Sequence, residues 1–270
     1  MTVPLARRVP ELARFELRRR KLPFAQRTLS MIVPASLGDV VSRSALTDPD
    51  RQPYWAEIWP AAVGLARVLM RGRPLDGLRV LDVGCGLGLC GVAAGSRGAR
   101  VTFTDREPEA LAFARFNAEQ NGVTGCETLL LDWNRRLPEA TFDLLLLADV
   151  TYSEHNHEPL LRLLSRALTA DGVAIAADPF RSGGAAFAGA AGHSFACREL
   201  HTDCFFVDRR LPVRLWVLAR DEAVAVAWAG DLSPKGSRSQ GRPPAASSEE
   251  AGGAGLLERP NGSRAREVAP

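Results

Sequence analysis

The sequence contains no Cys-x-x-Cys, and its five cysteines, Cys85, Cys90, Cys126, Cys197 and Cys204, are odd in number. That excludes a disulfide framework and a zinc ribbon, and leaves reduced thiols of the kind found in cytoplasmic proteins. No apolar run approaches the roughly 18 residues a membrane span requires, and the N-terminus lacks the apolar core of a secretory signal. A cytoplasmic chain with no membrane partner is expected. Histidine is scarce too: the S-E-H-N-H-E stretch at 153–158 pairs two of the four with acids, but no third and fourth ligand follow, so no metal site is expected. There is no internal repeat and no large charge of one sign. The net charge is +3, and residues 1–30 hold eight Lys or Arg against Glu11 and Glu16, which leaves the remainder slightly acidic. A body of that charge is not a general nucleic-acid binder, and no nucleic-acid partner is expected.

What is present is organised around R-V-L-D-V-G-C-G-L-G-L-C-G, residues 79–91. Val80, Leu81 and Val83 form a short apolar run that ends in glycines, which predicts a buried parallel strand turning sharply into a helix. Glycines let the main chain approach a nucleotide closely, and the following helix points free N–H groups at it. The next strand, Val101 to Thr104, ends on Asp105, about 20 residues past the loop, where an acid can hold a ribose diol. A third strand, Glu127 to Leu131, leads to Asp132 and Trp133, with the Asp132 carboxylate placed to accept from an adenine amine. The most apolar run, F-D-L-L-L-L-A-D-V-T-Y at 142–152, predicts a central fourth strand that delivers Ala148, Asp149 and Tyr152 to its carboxyl end beside the glycine loop. A carboxylate is costly to bury without a task, so Asp149 is a candidate for chemistry.

Around this centre the pattern predicts a basic helix over 9–22, a strand or hairpin over 29–41, and a helix opening at Trp59-Pro60. The helices after the first, second and fourth strands end near Gly95, Asn121 and Leu168. A fifth strand over 172–177 runs into D-P-F-R, where Arg181 has two readings, binding a substrate carboxylate or pairing with Asp178. Phe205–Asp208 and Val213–Ala219, joined by R-R-L-P, read as an antiparallel pair at a sheet edge. Tyr54, Trp55 and Trp59 fall in one short segment, and an aromatic wall there suits an adenine or a sulfonium cation. Asn117 and Asn121 either touch the cofactor or close a polar helix end. The expected class is α/β, a doubly wound, Rossmann-like, mostly parallel seven-stranded sheet with an antiparallel edge strand. Its expected divisions are a basic N-terminal extension over 1–50, a cofactor domain over 51–222 and a disordered tail over 223–270, since the last forty residues hold few large apolar side chains.

The loop alone has two registers. From Asp82 it is D-x-G-x-G-x-G, the S-adenosylmethionine signature; from Gly86 it is G-L-G-L-C-G, the dinucleotide fingerprint. Three features favour the first. The dinucleotide register leaves Gly84 and Cys85 as spare residues after the strand. Asp82 would repel a pyrophosphate but suits the ammonium of a methionine moiety. Asp132-Trp133 and Asp149 through Tyr152 stand at successive strand ends, as a line holding adenine and then a reacting methyl requires. Asp82, Gly84, Gly86 and Gly88 are then the working residues of the loop, and Gly91 lets the helix pack closely.

D-V-G-C-G-L-G (82–88), T-D (104–105), L-D-W (131–133) and A-D-V-T-Y (148–152) resemble the class I, seven-stranded S-adenosylmethionine-dependent methyltransferases, and within them the protein-lysine branch called methyltransferase family 16. Asp149 through Tyr152 match that branch's D-x-x-Y motif. P-Y-W-A-x-x-W-P and D-P-x-R are most similar to lysine methyltransferases of the electron-transfer flavoprotein beta subunit, although Ala61-Ala62 and Phe180 stand where that type carries glycines. The resemblance implies S-adenosyl-L-methionine as cofactor and a lysine-bearing protein as substrate. Cofactor contacts would come from Trp59, Asp82, Gly84, Gly86, Gly88, Asp105, Asp132, Trp133 and Ala148, with Asp149 and Tyr152 at the acceptor. The Asn-Pro-Pro-aromatic motif of enzymes acting on planar amide or base nitrogens is absent from this place, and a carboxylate and a phenol suit a cationic amine better. A small-molecule methyltransferase of the same fold and a noncatalytic cofactor-binding or partner-binding module are the alternatives.

Overall fold

The computed structural model describes residues 10–36, 40 and 52–233. After a turn of 3-10 helix at Pro10–Leu12, β1 (Leu17–Pro23) and β2 (Thr28–Pro34) pair as an antiparallel hairpin, with Leu17 opposite Pro34 and Pro23 opposite Thr28. The helix expected over 9–22 is therefore corrected. Leu12 and Phe15 are buried as that pattern required, but the run from Leu17 is drawn into strand pairing by β2, whose Leu29, Met31, Ile32 and Val33 are buried.

A turn of 3-10 helix at Tyr54–Ala56 precedes α1 (Pro60–Arg71), which has its proline in the first turn, where no N–H is missed. Then follow β3 (Arg79–Val83), α2 (Leu89–Gly95), β4 (Arg100–Asp105), α3 (Pro108–Gln120), β5 (Glu127–Leu130) and β6 (Phe142–Ala148). The chain continues through α4 (His157–Ala167), β7 (Leu168–Asp178), α5 (Ser182–Ala191), β8 (Ala196–Phe206), β9 (Arg209–Ala219) and α6 (Glu222–Leu232). The seven-stranded sheet has the order β5-β4-β3-β6-β7-β9-β8. Only β9 is reversed, antiparallel to both β7 and β8, so the reversed strand lies one in from the edge rather than at it. The β8–β9 turn falls on Val207 and Asp208, both at positive φ, and not on R-R-L-P, which belongs to β9.

β6 is central because Leu144, Leu145, Leu146 and Leu147 can be buried on both faces of the sheet, and all four are. At ~1.5–3 kcal/mol for each fully buried side chain, this strand anchors the core. The chain leaves β3 to one side and β6 to the other, so the switch in strand order opens a crevice between their carboxyl ends.

Two boundaries differ from expectation. Asp221 caps α6 by accepting from the N–H groups of Ala223 and Val224, and Ala225, Trp228, Ala229 and Leu232 are buried, so 223–232 belongs to the folded domain and not to a tail. The rest of that expected tail, from 234, lies outside the described residues. At the other end, the hairpin is bound into the domain by two asparagines of the α3 region. The Asn117 amide accepts from Ile32 N–H at 2.7 Å and donates to Ile32 O, and Asn121 does the same with Ser30. These side chains act as a neighbouring strand for β2, which answers the two readings offered for them in favour of structure.

Candidate active site

The crevice holds a cavity of about 220 Å³ whose two walls are built differently. On one side β3 ends at Val83 and the main chain turns through Gly84, Gly86 and Gly88, all with φ in the left-handed region, at 61°, 51° and 82°. A Cβ on Gly86 would stand 2.9 Å from the carbonyl oxygen of Trp55, so this position excludes side chains by space as well as by torsion. Gly84 backs onto Val150 and the Trp133 ring. Gly88, expected as a cofactor contact, does not reach the cavity. It caps α2 and packs against Ala114 and Phe103, because the helix must begin within contact distance of α3. Gly91 sits against Phe103, where a Cβ would fall 2.3 Å from the ring.

Two buried carboxylates support this loop. Asp82 Oδ2 accepts from Gly91 N–H at 2.8 Å, and burial pushes its carboxyl up to about 7. Asp105 accepts from Gly86 N–H and Glu107 N–H, both at 3.0 Å, and burial holds its carboxyl up at about 6 against those two bonds. Each is poised to gain from a cation or hydroxyl group brought to it. Beyond β5, Asp132 accepts from Asn134 N–H and pairs with Arg135, while Trp133 closes the floor with a buried indole N–H that has no hydrogen-bond partner among the described residues. Both line the cavity.

The opposite wall starts at Ala148, the last residue of β6. Asp149 follows with φ of 58°, a conformation disfavoured for a side-chain-bearing residue and concentrated at functional sites. It is 8% exposed, and burial pushes its carboxyl up to about 6 despite Arg181, whose Nε lies 3.2 Å from Oδ1. Three aromatic rings stand at the mouth in a chain of edge-to-face contacts, Trp59 to Tyr54 at 6.0 Å and Tyr54 to Tyr152 at 6.1 Å. Trp59 donates its indole N–H to the carbonyl of Tyr54, so it belongs to this wall and not to the glycine-loop side. Of the residues expected here, Trp59, Asp82, Gly84, Gly86, Asp105, Asp132, Trp133, Ala148, Asp149 and Tyr152 are brought to one cavity, and Gly88 is not.

Two residues of the site have partners that lie far off in the chain. The Arg181 guanidinium pairs with Asp149 and not with Asp178, to whose Oδ1 only its main-chain N–H donates. Tyr54 was visible only as one member of an aromatic segment, and its ring contact with Tyr152 links segments almost a hundred positions apart. The histidine cluster divides: His155 lines the cavity, while His157 is buried with Nε2 3.0 Å from Thr151 O. Among the described residues no three His, Cys, Asp or Glu side chains gather in metal-binding geometry.

A 5-4-3-6-7-9-8 sheet with its penultimate strand reversed, a glycine loop after the first strand of the parallel set and an acid at the end of the second define the fold of the class I S-adenosylmethionine-dependent methyltransferases. The residues present fit that cofactor: the loop leaves no side chain where main chain must approach it, and two buried carboxylates and an unpartnered indole N–H face the space. Residues 50–183, just under half of the chain, match the lysine methyltransferase family. The protein N-lysine methyltransferase METTL21A of Danio rerio is 38% identical over 128 residues, 44% of this chain and 58% of that protein. The histone-arginine methyltransferase METTL23 of Xenopus laevis is 33% identical over 40% of this chain and 49% of its own length. The electron transfer flavoprotein beta subunit lysine methyltransferase of Danio rerio is 34% identical over 39% of this chain and 42% of its own. The chain thus spans about half the length of the curated relatives it matches.

Proposed function

We propose that the chain is an S-adenosylmethionine-dependent protein-lysine N-methyltransferase. The observation that carries this reading is Asp149, a buried carboxylate at the end of β6, opposite the glycine loop in one cavity and approached past Trp59, Tyr54 and Tyr152. An alkylammonium gains from aromatic faces on the way in and from a carboxylate at the end.

The cofactor supplies an electrophilic methyl on a sulfonium. The protein's work is to position and desolvate the acceptor. Lysine near pKa 10.4 is protonated in water, and each unit by which its pKa must be lowered corresponds to about 1.4 kcal/mol. The rings and the carboxylate draw the ammonium in, and its desolvation in the buried site works against them and favours the neutral amine. Asp149 would accept one N–H of that amine and so orient its lone pair, and the ammonium proton would pass to Asp149 or to water before the attack. On the donor side, Asp82 would hold the ammonium of the methionine moiety, Asp105 the ribose hydroxyls and Asp132 the adenine amine.

A lysine-bearing protein as substrate agrees with the names of the METTL21A and flavoprotein-type relatives. The five free thiols favour the cytoplasm as its location, and the slightly acidic body argues against a nucleic-acid substrate. Incubation with tritiated cofactor and a cell lysate is the test. Label in a protein band, mapped by mass spectrometry to lysine, is the expected result. Label confined to the low-mass fraction would replace the reading with a small-molecule methyltransferase, and label on arginine would move it to the chemistry named for METTL23.

A further inference from the structure

Asp149 and Phe180 are two side-chain-bearing residues held at positive φ, 58° and 62°, on either side of one ion pair. Phe180 belongs to the loop between β7 and α5, and that loop is fixed from several directions. Arg181 N–H donates to Asp178 Oδ1 at 2.7 Å; Arg214 of β9 donates to Arg181 O at 3.1 Å and faces Asp178 Oδ2 at 3.6 Å. The Arg214 guanidinium also lies 4.9 Å over the Phe180 ring, which meets His201 edge to face at 5.3 Å. Asp178 is 1% exposed, so the clamp is part of the core. Its product is the position of one side chain. Arg181 reaches Asp149 Oδ1 with Nε at 3.2 Å, and its guanidinium carbon stands 6.0 Å over the Trp59 ring.

Both Asp149 oxygens are buried without a hydrogen-bond partner among the described residues, and the Arg181 ion pair falls on Oδ1. One oxygen of the carboxylate faces a cation whose main chain the fold holds, and the other has no cation beside it, in a residue that lines the cavity. We infer that Arg181 is the positioning residue of the acceptor site: by holding Oδ1 it keeps the Asp149 carboxylate ionised and sets Oδ2 as the seat for the incoming lysine amine. This rests on the lysine reading above, and it adds the residue that makes Asp149 competent. The charged and titratable groups around Asp149 are Arg181 and Asp178 from the β7–α5 loop, Arg214 behind Asp178, Asp82 from β3, Tyr152 and His155 from its own segment, and Tyr54 and Glu57 from the facing wall. Burial and Asp178 push the Asp149 carboxyl up, and Arg181 pulls it down. Without Arg181 only the upward influences remain, so more of Asp149 is protonated at neutral pH, and a protonated carboxyl cannot take the proton of an amine.

The experiment is a carboxyl carbon-13 NMR titration of the full chain, with the Asp149 resonance assigned by its loss in Asp149→Asn. Arg181→Ala is expected to move the midpoint upward from about 6, and Arg181→Lys to restore most of the difference. At pH 7, labelling of the substrate protein falls about twofold in Arg181→Ala if the midpoint rises by about one unit and about tenfold if it rises by about two, and recovers in Arg181→Lys, while S-adenosylhomocysteine affinity by calorimetry is the same in all three proteins. An unchanged midpoint, unchanged labelling, or loss of S-adenosylhomocysteine binding in Arg181→Ala would each overturn the assignment, the last by making Arg181 a structural residue. If the wild-type protein labels no protein, the lysine reading falls and the titration still decides whether Arg181 governs Asp149.

Discussion

The wall of the cavity that follows β3 and β4 is made largely of main chain, whereas the wall that follows β6 and β7 is made of side chains. On the first, the working parts are loop N–H groups, torsions only glycine tolerates well and two carboxylates that accept from neighbouring N–H groups. On the second they are Asp149, Arg181 and three rings from separate segments. A main-chain wall is rigid and suits a ligand that never changes. A side-chain wall can be varied residue by residue, and on the lysine reading it is the wall that meets the acceptor. The comparison separates two phenotypes, loss of turnover with the cofactor still bound and loss of the cofactor itself.

The largest effect expected is on the second wall. Asp149→Asn keeps the shape of the side chain but not its charge, and should lower labelling of the substrate protein by at least about a hundredfold, the lower range for a lost proton acceptor. Calorimetry with S-adenosylhomocysteine should detect little change. If cofactor affinity falls in parallel with turnover, the two walls are not separable. Gly86→Val is the mirror test on the first wall. Left-handed torsion costs a side-chain-bearing residue ~1–3 kcal/mol, and the clash with the Trp55 carbonyl adds to it because main chain cannot step aside. A loss of cofactor affinity of about a hundredfold is expected, and wild-type affinity would show that the loop is more pliant than its torsions indicate.

Much of this division was legible in the residues. Glycine torsions are local, so the loop announces itself, and β6 is recognisable because four consecutive leucines can be satisfied only by burial on both sheet faces. What was not legible is what depends on distant partners. Arg181 stands three residues from Asp178, which made that pairing the obvious local one; only the fold brings Asp149 near. Leu12, Phe15 and Leu22 share a helical face on paper, yet β2 recruits the second half of that run into a hairpin. The helix α6 was overlooked although Asp221 is a recognisable N-cap, because its burial depends on packing against β8 and β9.

The hairpin offers the next test, because Asn117 links it to the main-chain wall. Its side-chain amide accepts from Ile32 N–H and donates to the carbonyls of Ile32 and of Leu87, which lies inside the glycine loop. Asn117→Leu strands three buried main-chain groups, each worth ~1–3 kcal/mol when unsatisfied, though relaxation makes the sum smaller. A net loss of about 3 kcal/mol in denaturant unfolding is expected, with weaker cofactor binding alongside it. Loss of stability with the cofactor affinity intact would confine the hairpin to a structural role.

Asp82 gives the main-chain wall a pH signature. Its folded carboxyl titrates at about 7, above its ordinary value of 3.8. Between those values the native state holds a proton the unfolded chain has released, so stability falls as pH rises through that window. Asp82→Asn removes this slope and should make the cofactor-free protein more stable at pH 8 than the wild type by about 4 kcal/mol, with little difference at pH 4. Cofactor affinity should rise with pH through 7 in the wild type and stay flat in the variant, since only ionised Asp82 attracts an ammonium. A parallel pair of stability curves would show that Asp82 is ionised in the free protein throughout.

The smallest effect separates the two uses of Tyr152 on the side-chain wall. If the ring acts by shaping the channel with Tyr54, Tyr152→Phe keeps the edge-to-face contact and leaves turnover within about twofold, because such a pair is worth only ~0.5–1.5 kcal/mol and it is preserved. Tyr152→Ala loses it and should raise KM about two- to tenfold with kcat less affected, the pattern of a lost binding surface. If instead the phenol holds the amine in the transition state, Tyr152→Phe alone lowers kcat with KM unchanged. That outcome would move Tyr152 from the channel to the acceptor seat beside Asp149.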